Sequence, residues 1–352
     1  MTEQTPGRRG SRKLWISAAQ YGISVLILGY LFYGAAQDES FSRLQDQATQ
    51  WQMSNWLLLG GAFVVGLGAV ATTFFRWWAM VRALDLPFRL QDAFRLGFVG
   101  FLFNFLTLGV VGGDSLKAYF IAQQQSGRKT EAVSTVIADR LMGLYALAIV
   151  AALALLGVDV VDEKVRVVLQ GTLGFLLLGG VAGLVFIFWG GRLQQPDLAQ
   201  LSESDTVGQR IVTALLLYRS KLGRLAALLT LSLLTHVLFA VCVFMIACGL
   251  GGDHPSWGQH VVMVAIANVA GSIPLPGGLG GFEYGLDFLY RRVANVQDSQ
   301  GFVVALGFRL VTLGIALVGV FYYLAGRREM NRLMQAAEAA EVTSQPAATV
   351  VE

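Results

Sequence analysis

The residues of this sequence best suited to chemistry form two glycine-rich runs and a few charges set among apolar neighbours. The first run reads Asn104-Phe-Leu-Thr-Leu-Gly-Val-Val-Gly112-Gly113-Asp114-Ser115-Leu-Lys117. The second reads Asn268-Val-Ala-Gly-Ser272-Ile-Pro274-Leu-Pro276-Gly277-Gly278-Leu-Gly280-Gly281-Phe-Glu283. The isolated charges are Asp139 with Arg140, and Arg309. A guanidinium in a water-poor site grips phosphate or carboxylate through two parallel hydrogen bonds, which an ammonium cannot do. The prolines and glycines of the second run cannot continue a helix, so the backbone must break there. A helix starting after such a break turns unpaired N–H groups and the positive end of its dipole toward an anion. Asp114 or Ser115 is a natural N-cap for the first such helix. Asp114 and Glu283 supply carboxylates that could pair with the arginines or carry protons.

Other chemistries find no support. No Ser-His-Asp or Cys-His arrangement can be assembled from the spacing, and the Gly-Lys-Ser/Thr ending of a nucleotide loop is missing from both runs. His236 has no second histidine at ligand spacing, which favours a hydrogen bond between helices over a metal. Cys242 and Cys248 lie six apart in one apolar run with no other cysteine to join. Catalysis, cofactors, metals and nucleic acid are therefore not expected.

Composition says what scaffold must carry these residues. Of 352 residues 55% are hydrophobic and only 14% charged, so the bilayer is the expected solvent. A membrane helix needs about 20 apolar residues, and Leu14–Tyr33, Trp56–Trp78, Val133–Leu156, Val168–Trp189, Leu225–Leu250 and Phe302–Leu324 meet that length. Leu96–Val111 and Trp257–Pro276 are apolar but short, and each runs into a glycine-rich break, so they could span or re-enter. The first run ends in Gly34-Ala35-Ala36 as a signal peptide can, but it is longer than a usual signal core and is read as a retained span. With the N-terminus inside, 17 lysines and arginines flank the spans on the inner side and 5 on the outer, which favours cytoplasmic termini in the inner (plasma) membrane. Arg76, beside Trp77 and Trp78, is expected to snorkel to the interface.

The chain also matches itself at an offset of 169 residues: Gly112 falls on Gly281, Asp114 on Glu283 and Arg140 on Arg309. With the charge-derived orientation the two halves, about 56–157 and 225–326, run oppositely through the membrane. Inverted repeats with interrupted helices suit a transporter whose site lies at the repeat interface. The fold class is thus an all-α polytopic membrane protein of about eight hydrophobic segments, an inverted repeat with two glycine-broken segments. Its expected limits are a cytoplasmic start at 1–13, a membrane domain at 14–326 and a cytoplasmic tail at 327–352.

At these residues the chain resembles the lysylphosphatidylglycerol synthase transmembrane-region family, flippase-like integral membrane proteins. The resemblance rests on Gly113, Asp114, Lys117, Ala118 and Tyr119, on Asp139, Arg140 and Leu141, and on Pro276, Gly277, Gly278, Leu279, Gly280 and Glu283. One departure is the missing proline after Asn104, where this chain reads Thr107-Leu-Gly109-Val, so the first break should be softer. Full-length synthases of the family add an aminoacyl-transferase domain, for which the segment after Gly326 is too short. The resemblance implies the flipping module: a translocase for an anionic lipid, of phospholipid or polyprenyl-phosphate type. Its substrate-binding set would be Asn104, Gly112, Gly113, Asp114, Lys117, Asp139, Arg140, Pro276, Gly277, Gly278, Gly280, Glu283 and Arg309. Competing readings are a membrane transferase modifying lipid headgroups and a non-catalytic partner of cell-envelope enzymes docking through 190–224. The expected partners are membrane lipids with anionic headgroups, a second copy of the chain, or a lipid-modifying enzyme.

Overall fold

The computed structural model describes residues 8–107, 110–125, 127–158, 162–190, 218, 222–251, 254–273, 275–296 and 299–325. Pro274, the tail beyond Ala325 and most of the docking segment at 190–224 lie outside the described residues. Among those described, every regular element is helical. In chain order they are α1 (Arg8–Gln37), α2 (Ser40–Thr49), α3 (Met53–Ala83), α4 (Leu90–Leu106), α5 (Val110–Gln124), α6 (Lys129–Leu155), α7 (Glu163–Gly190), α8 (Leu222–Leu250), α9 (Trp257–Gly271), a 3-10 turn (Pro276–Gly278), α10 (Gly281–Val293) and α11 (Gln300–Ala325).

Six of these, α1, α3, α6, α7, α8 and α11, are long and apolar enough to cross a membrane, and they are the six spans expected. The short segments behave differently. Helices α5 and α10 have 15 and 13 residues, about 20 Å at 1.5 Å per residue against a hydrocarbon core of about 30 Å. Each therefore returns to the face from which its partner entered. Gln125 Nε2 at the end of α5 donates to Pro87 O before α4 at 2.6 Å, and Arg128 Nη2 donates to Leu84 O at 3.1 Å. At the other face Gln259 Nε2 at the start of α9 donates to Val293 O at the end of α10 at 3.4 Å. The two short segments are thus re-entrant, each the first limb of a helical hairpin. The second limbs are too polar to register as hydrophobic segments: α10 carries Glu283, Asp287, Arg291 and Arg292.

The halves recur at helix level. Shifting α3, α4, α5 and α6 by 169 residues lays them on α8, α9, α10 and α11, with every end agreeing within four residues. They are also antiparallel. Trp51 Nε1 and Asn55 Nδ2, at the start of α3, donate to Leu250 O and Gly249 O at the end of α8, at 3.2 and 3.0 Å. At the opposite ends Tyr218 Oη donates to Met80 O and Arg224 Nη1 to Ala83 O, at 3.1 and 3.3 Å. Burial pushes the Tyr218 phenol above its ordinary pKa, so it stays a neutral donor. The long helices α3 and α8 pack on each other as the central pair, and each hairpin reaches across to the other half: α4 packs on α11, and α9 on α6.

Glycine lets the hairpin limbs approach. A Cβ on Gly113 would overlap the backbone oxygen of Gly100, and one on Gly281 would overlap that of Ala270. One on Gly112 would overlap Thr107. Helix α5 already begins at Val110, so Gly112, Gly113 and Asp114 lie within it. The expectation of an N-cap at Asp114 or Ser115 is therefore corrected, since the helix starts four residues before Asp114. Residues 108–109, between the two helices, lie outside the described residues. In the second hairpin the glycines do bend the chain, Gly278 at φ +64° and Gly280 at φ +98°, conformations that favour glycine.

Candidate functional site

A cavity of about 470 Å³ opens between the halves, lined by residues of both hairpins and of α3, α6, α8 and α11. Its polar wall is built from few charges. Of the 26 lysines and arginines, 17 and 5 flank the spans on the two sides. The remaining four, Arg76, Lys117, Arg140 and Arg309, all line this cavity. Charges at membrane depth are expensive unless paired, and they mark functional cavities.

The repeat builds two of the clusters in the same way. In the first half Arg140 on α6 reaches back 26 residues to Asp114 on α5, donating Nε to Oδ2 and Nη2 to Oδ1, the latter at 2.7 Å. In the second half Arg309 on α11 reaches Glu283 on α10 over the same separation, donating Nε to Oε1 at 2.7 Å. Each pair ties the second limb of a hairpin to the span that follows it. The surroundings differ: Arg309 Nη2 also donates to Gly278 O at 2.8 Å, and Glu283, 1% exposed, accepts from Gly280 N at 2.9 Å. Arg309 and Glu283 thus clamp the glycine turn, and the amide at the helix start already has an acceptor. Similarly, Gly113 N donates to Asn104 Oδ1 at 3.0 Å, so Asn104 binds the two limbs of the first hairpin.

A third cluster overturns a sequence expectation. Arg76 does not snorkel: it is 5% exposed and donates Nε to Asp139 Oδ1 at 2.7 Å and Nη1 to Ser232 Oγ at 2.8 Å. Gly143 gives it room, because a Cβ there would sit 3.3 Å from Nη2. Trp77, taken with Trp78 as an interface marker, is 1% exposed and donates Nε1 to Thr135 Oγ1 at 3.3 Å. Three residues of the bundle wall enclose the guanidinium, and an apolar bundle cannot leave it unpaired. Asp139 therefore serves Arg76, not its neighbour Arg140. Arg76 was missed as a cavity residue because a charge beside two tryptophans reads as an interface anchor; its separation from the basic residues at 82, 89 and 95 was the available signal.

Lys117, on α5, is the least saturated cation. Its Nζ lies 3.9 Å from Asp114 Oδ1 and over the rings of Phe74 and Trp77, at 5.7 and 5.5 Å. His236 joins α8 to α6 through Nε2 and Gly143 O, 2.9 Å apart, the interhelical bond expected of it. The hairpin tips also meet: Arg309 stacks on Phe105, at the end of α4, 5.7 Å from the ring centre, and α4 packs on the 3-10 turn. The structure thus brings Asn104, Asp114, Lys117, Asp139, Arg140, Gly278 and Arg309 to one cavity, with Glu283 just behind Arg309. Gly112, Gly113, Pro276 and Gly280 shape the hairpins and are not among its described lining residues, and Gly277 lies in the 3-10 turn. The arrangement can hold an anion against fixed cations beside a largely apolar wall rich in phenylalanines.

Comparisons with known proteins agree with this architecture. A family model described as lysylphosphatidylglycerol synthase TM region matches residues 17–319. A protein named "UPF0104 membrane protein" from Methanothermobacter thermautotrophicus is 23% identical over 284 residues, covering 73% of this chain and 83% of that protein.

Proposed function

This chain belongs to the lysylphosphatidylglycerol synthase transmembrane-region family, and from that premise we propose that it is a translocase moving an anionic lipid across the cell inner membrane. One observation carries the reading: the four basic residues that do not flank a span all line one cavity between two antiparallel halves. A headgroup would enter that cavity while its acyl chains stay in the bilayer. A volume of about 470 Å³ lies within the roughly 300–1,000 Å³ of small-ligand pockets, and so suits a headgroup alone. Alternating access would come from rocking one half and its hairpin against the other around the fixed site. Asp114 and Glu283, each already shared with an arginine, are the groups that could couple the movement to protons.

The excess of basic residues beside Arg82, Arg89, Arg95, Arg128 and Lys129 supports placing that face, and both chain ends, in the cytoplasm. Anionic membrane lipids are the partners this reading requires. Purified protein reconstituted in vesicles with a fluorescent anionic lipid tests it. Protein-dependent loss of protection from a membrane-impermeant quencher is the expected result. Vesicles that stay half-protected, with or without protein, would refute the translocase. A chemically altered lipid recovered from the same vesicles would favour the transferase instead.

A further inference from the structure

The three acid–base clusters around the cavity do not balance equally. Arg76 is matched by Asp139, and its three nitrogens are committed to Asp139 Oδ1, Ser232 Oγ and Asp139 O. Arg309 is matched by Glu283 and spends its Nη2 on Gly278 O as well. The third cluster has two cations and one carboxylate. Both oxygens of Asp114 accept from Arg140, which leaves Lys117 Nζ at 3.9 Å, too far for a hydrogen bond. Its other neighbours are the faces of Phe74 and Trp77. At the repeat-equivalent position of the second half stands Leu286, fully buried. Among the described residues the basic side chains of these clusters therefore outnumber the carboxylates by one, and the extra one, Lys117, sits in the first half. Beside it Arg140, with a side chain 41% exposed, keeps its Nη1 edge without a partner among the described residues.

Taking the translocase reading as its basis, we propose that this cavity selects a lipid headgroup of single net negative charge, a phosphodiester, bound by Lys117 Nζ and the Nη1 edge of Arg140. Arg309 braces the glycine turn and does not touch the phosphate. A phosphodiester monoanion brings the cavity to neutrality. A net-neutral headgroup leaves Lys117 uncompensated, and a phosphomonoester dianion leaves a negative charge in excess. Either remainder is costly at membrane depth.

Native mass spectrometry of the detergent-solubilised full chain, at pH 8, decides between these outcomes with short-chain phosphatidylglycerol, phosphatidylcholine and phosphatidic acid as probes. The parental protein should bind phosphatidylglycerol about 10-fold more tightly than either of the others, the size of one charge-assisted hydrogen bond. Lys117→Gln should lose that preference at unchanged melting temperature, and Lys117→Arg should keep it. Asp114→Asn, which adds a second uncompensated charge, should turn the preference toward phosphatidic acid; should that variant not fold, Lys117→Gln decides alone. Equal binding of the three lipids by the parental protein, or an unchanged preference in Lys117→Gln, would overturn the charge match. Equal competition by glycerophosphoglycerol would assign the site to a soluble phosphodiester and overturn the lipid. Vesicle transport with the same lipids separates this inference from its basis. Selective binding without movement rejects the translocase and keeps the charge match, whereas movement of all three lipids alike does the reverse.

Discussion

Arg76 Nε donates to Asp139 Oδ1 at 2.7 Å across the contact between α3 and α6, where the two residues are 5% and 7% exposed. The repeat offset places Met245 and Phe308 at the corresponding positions of the second half. The same architectural position is thus held by an ion pair in one half and by apolar side chains in the other. Only the first half adds a third charged cluster to the cavity.

Removing one partner of that pair should be severe. Arg76→Met or Asp139→Asn leaves a buried charge alone and should reduce stability by about 3–5 kcal/mol. The double variant Arg76→Met with Asp139→Phe copies the second half and should recover most of the loss. Thermal unfolding in detergent measures all three. Single variants as stable as the parent would show that the pair is not shut off from water.

The two repeat-equivalent arginines should part company on substitution by lysine. Arg309→Lys loses the bond from Nη2 to Gly278 O and should lower stability by about 1–3 kcal/mol. Arg140→Lys keeps a charge beside Asp114 but loses the planar edge, so it should fold normally while vesicle transport falls about 10-fold. An Arg140→Met protein that is stable and moves lipid at the parental rate would remove Arg140 from the site.

Hairpin glycines should be intolerant where backbone lies opposite. Gly113→Ala and Gly281→Ala drive a methyl into the oxygens of Gly100 and Ala270 and should destabilise by about 1–3 kcal/mol, as overpacking does. Gly68→Ala in α3 meets nothing within 4 Å and should be neutral or gain up to about 1 kcal/mol from helix propensity. Folded yield and melting temperature compare the three. Equal behaviour would mean that the limbs do not approach as described.

Topology is open to labelling. In a cysteine-free background, single cysteines at Arg89 and Arg128 should react only from the cytoplasmic side, because α4 and α5 enter and leave by one face. A cysteine at Asp162, whose side chain meets Arg292 at 3.2 Å on the other face, should react in intact cells with an impermeant reagent. Reaction of Arg89 and Arg128 from opposite sides would make the hairpin a span.

Composition and local pattern were enough to settle the six spans, because burying about 20 residues in hydrocarbon leaves no structure but a helix. The 169-residue register was legible as well: it set Asp114 and Glu283 at equivalent positions, and Arg140 and Arg309 likewise, but left open which carboxylate meets which arginine, and the packing decided that. The hairpins were only half legible. Their second limbs carry charges even on buried positions, Glu283 and Asp287 in α10, so hydropathy alone does not mark them as membrane segments. What only the tertiary structure decided was which charges share a wall. Arg76 sits beside tryptophans in sequence but faces Asp139 in space, 63 residues away. Lys117 likewise reads as one more residue of a motif until packing spends both oxygens of Asp114 on Arg140. Pairing of buried charges depends on the direction each helix face points once the halves are assembled, and that direction belongs to the packing of α3, α5, α6 and α8 together and to no single segment.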